Sequence, residues 1–169
     1  MKIKIYTTGG TIDKVYFDQK SDYQVGDPQA SGVLKRANVV LDYKVESIIR
    51  KDSLDFTEED RELIRKKVAS TPLERVVITH GTDTMIDTAK VLKNISGKTI
   101  VMTRSMYPAQ FLYSDAVFNI GGAVTAAQLL GPGVYIVMNG RVFKPHQVRK
   151  NIELNRFEEI IIKQQEENG

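Results

Sequence analysis

The stretch Ile3-Lys4-Ile5-Tyr6-Thr7-Thr8-Gly9-Gly10-Thr11-Ile12 begins with β-branched and aromatic residues and ends in two glycines followed by a threonine. A short run of this kind predicts a strand, and the paired glycines predict a tight turn that leaves a hydroxyl exposed just beyond it. By itself the turn fits a simple reversal, a phosphate cradle or a hydroxyl-based site. Similar runs recur at 39–49, 76–79, 99–103 and 134–138, with helical patterns between them. That rhythm predicts an α/β fold in three αβα layers, a mainly parallel sheet covered by helices.

Thr57 stands as an N-cap before Glu58, Glu59 and Asp60, whose charges suit the first turn of a helix running to about Ala69, where Pro72 follows. Thr82 or Asp83 is expected to open a second helix reaching about Asn94, with Met85, Ile86, Ala89 and Leu92 on one face. A third is expected from Ser114 to Leu130, stopped by Gly131-Pro132-Gly133. The chain divides in this reading into an α/β domain over 1–155 and a C-terminal helix with a polar tail over 156–169.

A length of 169 residues fits one domain, and 41% hydrophobic with 27% charged residues suits a chain that buries a core. Without cysteine there is neither a disulfide nor a thiol nucleophile, and the separated His80 and His146 make no zinc set, so no metal is expected. Lys and Arg number 24 against 21 Asp and Glu, with no basic run interleaved with aromatics, which disfavours nucleic acid as a partner. The opening residues are too charged for a secretory signal, and no later run approaches the ~18 apolar residues of a bilayer span. No membrane partner and a cytoplasmic address are the expectations.

Small hydroxyl, glycine and charged residues gather at the carboxyl ends of the expected strands: 7–11, Ser53, 79–84, 103–105 and 139–141. Ligands of open α/β sheets bind outside those ends. His80-Gly81-Thr82-Asp83-Thr84 repeats the glycine-threonine pairing of the first turn and adds a carboxylate. Ser96-Gly97-Lys98-Thr99 ends like a phosphate loop but lacks its first glycine and precedes a strand, and no Gly-x-Ser-x-Gly elbow occurs.

Together, 8–12 and 80–84 resemble the two signatures of the bacterial-type L-asparaginases. The resemblance continues through Ser21 to Gly26, Asp52 to Phe56, Met106 to Pro108, Asp115 to Asn119 and Met138 to Asn151. It implies the fold of that family's N-terminal domain, in a short single-domain form without the usual C-terminal domain. The implied activity is hydrolysis of L-asparagine to L-aspartate and ammonia through an acyl-enzyme on Thr11, without a cofactor. Position by position, the resemblance makes Thr11 the nucleophile, sets Tyr23 on a mobile loop over it, and joins Thr82, Asp83 and Lys150 in a triad. Ser53 would hold the substrate carboxylate and Asp83 its ammonium, with Gly10, Leu54 and Gly81 completing the substrate-binding set.

The chemistry asks for a proton acceptor and for donors to an oxyanion. The N–H groups of Gly10 and Thr82 are the expected donors. For a lysine acting as base, burial disfavours the charged form and a nearby carboxylate favours it, and the two effects oppose. Leu54 stands where many members carry glutamine, and Tyr107 where arginine is frequent. Glutamine or another small amide as substrate, and a non-catalytic amino-acid-binding module, are therefore the alternatives. A homodimer or larger homo-oligomer is expected, with His80 supporting its turn and Asp115 and Asn119 in structural roles.

Overall fold

Strand β1 (Lys2–Gly9) is buried from Ile3 onward, so it needs cover on both faces and a partner on both edges. The computed structural model, which describes residues 1–17, 22–151, 153–154 and 156–160, supplies all of these. After β1 come β2 (Lys14–Phe17), β3 (Asp22–Val25), α1 (Ala30–Arg36), β4 (Asp42–Lys51), α2 (Glu58–Ser70), β5 (Arg75–Thr79) and α3 (Met85–Leu92). The chain continues through β6 (Thr99–Thr103), α4 (Ala116–Leu129), β7 (Gly133–Met138), β8 (Arg141–Phe143), β9 (Val148–Asn151) and β10 (Arg156–Glu159).

The main sheet has the order β4-β1-β5-β6-β7-β8, parallel except for β8, which returns antiparallel beside β7. Alternate residues face opposite layers. Ile3, Ile5, Val77, Val101 and Val137 pack against α1 and α4. Tyr6, Val76, Ile78, Ile100 and Met102 pack with Ile64 and Val68 of α2 and Met85, Ala89 and Leu92 of α3. The expected three-layer αβα arrangement is what these residues build.

Local signals set the helix ends. Thr57 and Asp60 close a reciprocal capping box at α2. Asn38, at φ 51°, ends α1 with its N–H on Lys35 O at 3.0 Å while Val39 N–H reaches Leu34 O at 3.1 Å, the paired bonds of a Schellman turn. That turn delays β4 to Asp42, later than the expected 39. Helix α3 begins at Met85 and not at Thr82 or Asp83, which stay in the loop ahead of it.

The C-terminal helix expected from 156 is a correction. Arg156–Glu159 is strand β10, paired antiparallel with β9, because Phe157 turns into the core beside Val148 while its neighbours face outward. The polar tail expected from Lys163 to Gly169 lies outside the described residues. Further elements had no counterpart in the reading: the β2–β3 hairpin, paired Lys14↔Val25 to Phe17↔Asp22, the seven-residue α1, and the strands β8 and β9.

Candidate active site

Three neighbouring strands of the sheet order β4-β1-β5 deliver the glycine-threonine loops and Ser53 to one edge. β1 ends in Gly9 and Gly10, both at positive φ, 86° and 82°, which side chains of L-residues rarely adopt. Gly10 packs so closely on the second loop that a Cβ there would lie 2.8 Å from Gly81 Cα and N. Gly81 in turn leaves no room for a Cβ against the Ser53 side chain. Gly10, Gly81 and Ser53 therefore form one packed seam, and Thr11 and Thr82, each the next residue in its loop, flank it.

Hydrogen bonds hold the seam. Gly10 N–H donates to Lys51 O at 3.1 Å, His80 N–H to Thr103 O at 2.9 Å, and Thr8 Oγ1 to Thr79 O at 2.9 Å. The first of these corrects an expectation: the Gly10 N–H is occupied by Lys51, so Gly10 serves the site by its missing side chain. The Thr82 N–H remains of the two expected oxyanion donors. Thr84 Oγ1 donates to Ser53 O at 2.8 Å and ties the second loop to the turn after β4.

His80 is fully buried, with Nδ1–H donating to Gly81 O at 2.7 Å and Nε2 accepting from Thr88 Oγ1 at 2.9 Å. A carbonyl can only accept, which fixes the tautomer. Burial pushes the imidazole pKa down to about 4, leaving a neutral ring that props the loop, the supporting role expected of it. Asp13, also buried, closes the turn after Thr11 and accepts the Gln29 N–H at 2.8 Å, which pins the base of the hairpin bearing Tyr23. Burial is the largest influence on its carboxyl and raises the pKa to about 6, against the Gln29 bond and the charge of Arg50.

Lys150 arrives from the other side. An Asn139-Gly140 turn, at φ 52° and 76°, reverses β7 into β8, and the chain then enters the β9–β10 ribbon. Asp115 accepts Asn119 Nδ2 at 2.7 Å, Asn119 Oδ1 accepts Asn139 N–H at 3.1 Å, and Asn139 Oδ1 accepts Phe157 N–H at 3.3 Å. This relay from α4 to β10 seats the ribbon. Phe157 pairs with Lys150 across it. Lys150 Nζ then lies 2.7 Å from Asp83 Oδ1 and 3.4 Å from Thr82 Oγ1, while Thr82 Oγ1 lies 3.4 Å from Asp83 Oδ2.

The structure thus brings Thr82, Asp83 and Lys150 together, with Gly81 and Ser53 beneath and Thr11 across the seam. Tyr23 stands on β3, 44% exposed, with edge-to-face contacts to Tyr16 at 5.5 Å and Phe111 at 6.0 Å. Leu54 is 70% exposed, its N–H on the Asp52 carboxylate at 3.3 Å and its side chain in solvent, away from the buried seam. Tyr107 is exposed as well. Ser21 of the expected mobile loop lies outside the described residues. One residue was given no role: Arg104, after β6, is a buried guanidinium. Its place among the polar residues closing a strand was legible, its burial was not. Among the described residues no group of three or more His, Cys, Asp or Glu is placed to hold a metal ion.

A family profile described as "Asparaginase, N-terminal" matches residues 2–159. The L-asparaginase of Thermococcus kodakarensis is 30% identical over 95% of this chain and 51% of its own length. Its solved structure superposes with a TM-score of 0.79 at 28% identity, over 94% of this chain and 51% of that one. A glutaminase-asparaginase of Acinetobacter glutaminasificans is 35% identical over 65% of this chain and 34% of its own. A structure described as a probable cytoplasmic L-asparaginase from Campylobacter jejuni superposes with a TM-score of 0.77 at 26% identity, over 94% of this chain and 52% of that one. The chain spans no more than about half the length of these relatives.

Proposed function

We propose, from the premise that this chain belongs to the asparaginase family, that it is an amidohydrolase converting L-asparagine to L-aspartate and ammonia through an acyl-enzyme on Thr11. The observation that carries the reading is the contact of Lys150 with both Asp83 and Thr82 beside the Gly10–Gly81 seam.

Thr11 Oγ1 attacks the side-chain amide carbon and forms a C–O bond, and its proton passes to Lys150 in its neutral amine form. Asp83, 2.7 Å from Nζ, stabilises the ammonium so formed. The oxyanion takes the Thr82 N–H. The C–N bond breaks, the nitrogen leaves as ammonia with the proton returned by Lys150, and water then cleaves the ester to release aspartate and restore the Thr11 hydroxyl. Tyr23 orients the Thr11 hydroxyl, Ser53 meets the substrate carboxylate, and Asp83 the ammonium. The cycle uses no cofactor.

Glutamine is the competing substrate, favoured by the relative named a glutaminase-asparaginase and by the outward position of Leu54. The reading also has the chain in the cytoplasm, supported by its likeness to the probable cytoplasmic L-asparaginase. It works as a homodimer or larger assembly, supported by the exposed Val117, Phe118, Leu129 and Val142 on α4 and β8. No helix among the described residues is long and apolar enough to cross a membrane.

Ammonia release measured in parallel with L-asparagine and L-glutamine tests the function. Turnover of L-asparagine that falls about 10²-fold or more in Thr11→Val is the expected result. No turnover of either amide, or a wild-type rate in Thr11→Val, overturns it.

A further inference from the structure

The β2–β3 hairpin forms a two-stranded sheet separate from the main sheet. Its base is pinned: Gly26 N–H donates to Asp13 O at 2.8 Å, Gln29 N–H to the Asp13 carboxylate at 2.8 Å, and Lys14 pairs with Asp52 at 2.8 Å. Tyr23 lies beyond that base, opposite Tyr16 in the register. A two-stranded ribbon is marginal by itself, so what holds the Tyr23 ring still must come from outside the hairpin.

The loop between β6 and α4 supplies that hold. Ala109 N–H donates to Ile12 O, one residue after Thr11, at 3.0 Å, and Gln110 Nε2 reaches Lys14 O at 3.4 Å. The next residue, Phe111, meets the Tyr23 ring edge-to-face, with centroids 6.0 Å apart and planes at 62°. Tyr16 also meets Tyr23, at 5.5 Å, but it moves with the hairpin, whereas Phe111 belongs to the body of the fold.

The loop is itself tied down. Asp115, at the start of α4, accepts Met106 N–H at 2.9 Å and Tyr107 N–H at 3.2 Å. Phe111 N–H donates to Pro108 O at 3.0 Å, and Ser114 N–H to Phe111 O at 3.1 Å, so the backbone of Phe111 is bonded on both sides. Of three consecutive large apolar residues, Leu112 and Tyr113 are 87% and 89% exposed, while Phe111, at 39%, is the one turned against the protein. An aromatic pair in this geometry is worth a factor of about 2–10 in an equilibrium constant.

We propose that Phe111 is a positioning residue: its ring, carried by the 106–115 loop, fixes the Tyr23 side chain and acts on turnover through it. The inference rests on the amidohydrolase reading, in which Tyr23 orients the Thr11 hydroxyl. One loop thereby holds the turn after Thr11, through Ile12, and the Tyr23 ring, through Phe111, in a common frame. A group that orients the nucleophile serves the transition state more than substrate binding, so loss of its support shows in kcat before KM.

The test is a double-mutant cycle of Phe111→Ala and Tyr23→Phe on L-asparagine, with Phe111→Tyr and Leu112→Ala beside it. Phe111→Ala is expected to lower kcat by about 3–10-fold with KM within about twofold, and Phe111→Tyr to restore kcat to within about twofold of wild type. Leu112→Ala is expected to change neither constant. In the Tyr23→Phe background, Phe111→Ala is expected to cost less than about twofold. A wild-type kcat in Phe111→Ala, the same fall in both backgrounds, or an equal fall in Leu112→Ala overturns the proposal. Amide hydrogen exchange needs no turnover and separates this inference from the hydrolase reading. Exchange over 14–17 and 22–25 that is about 2–10-fold faster in Phe111→Ala, with 75–79 unchanged, supports the proposal even if no amide is cleaved. Unchanged exchange in the hairpin of Phe111→Ala or, where that variant does not fold, of Phe111→Leu sinks it, and so does equal acceleration over 75–79.

Discussion

The two sides of the candidate site are held together by different physics. The β1–β5 side is a matter of volume: Gly10, Gly81 and Ser53 touch with no space for a methyl group, and backbone bonds to Lys51 and Thr103 lock the loops. The β9 side is a matter of charge: Lys150 is 28% exposed, rides on a two-stranded ribbon, and reaches the other half through Asp83 and Thr82. Packing of the first kind tolerates no change, whereas a part-exposed ion pair contributes little to folding and can be removed without collapse. Position is fixed by volume on one side and by an ion pair on the other.

Gly81→Ala should break this contrast most severely. The new Cβ meets the Ser53 side chain, so a loss of about 1–3 kcal/mol in denaturant unfolding is expected, with activity lost alongside. Gly121→Ala, in α4 with no heavy atom within 4 Å of its added Cβ, should instead gain up to about 1 kcal/mol. Comparable losses in both would show that the seam is not tight.

Lys150→Met should sharpen the contrast from the other side. It is expected to lower turnover by about 10²-fold while changing stability by less than about 1 kcal/mol. A large drop in the unfolding midpoint would mean that the ion pair holds the ribbon, a task the Phe157 side chain and the Asp115-Asn119-Asn139 relay are placed to perform.

The smallest effect is in acid, and it belongs to the packed side. His80, lowered from 6.5 to about 4 by burial, adds stability above pH 6.5 that is lost as the pH falls toward 4. Asp13, raised from 3.8 to about 6, acts oppositely: its contribution is complete below 3.8 and lost as the pH rises through 6. The two slopes largely offset one another in wild type. Asp13→Asn should leave the His80 slope exposed and cost about 1–2 kcal/mol more on going from about pH 7 to about pH 5, and His80→Gln should flatten or reverse the trend. Urea midpoints at both pH values check this, and parallel slopes in all three proteins would contradict it.

The same contrast governs what could be read from the chain. Strands β5, β6 and β7 are buried on both faces, which writes them as short apolar runs, and α2 is announced by Thr57 and Asp60. Strands β2, β3, β9 and β10 are four residues each and partly exposed, so neither period nor composition marks them. Arg156 to Glu159 carries one apolar residue inward, too short a pattern to separate strand from helix. The glycine-threonine loops made the candidate site legible, because the positive φ of Gly9 and Gly10 is one that few other residues adopt. The hydrogen-bond partner of the Gly10 N–H and the burial of Arg104 depend on Lys51 and on residues 105–115, which no local pattern links to them.

Strand β1 pairs Ile3 with residue 43 on one edge and with residue 75 on the other, so both of its neighbours are made long after it. Such distant parallel pairings are slow to form, and until they do Ile3 and Ile5 stay exposed to any competing strand. Thr11 gains its position only when the second loop has been synthesised and docked. A nascent chain therefore holds no early version of the surroundings of Thr11: maturation of the candidate site and completion of the sheet centre are a single kinetic event.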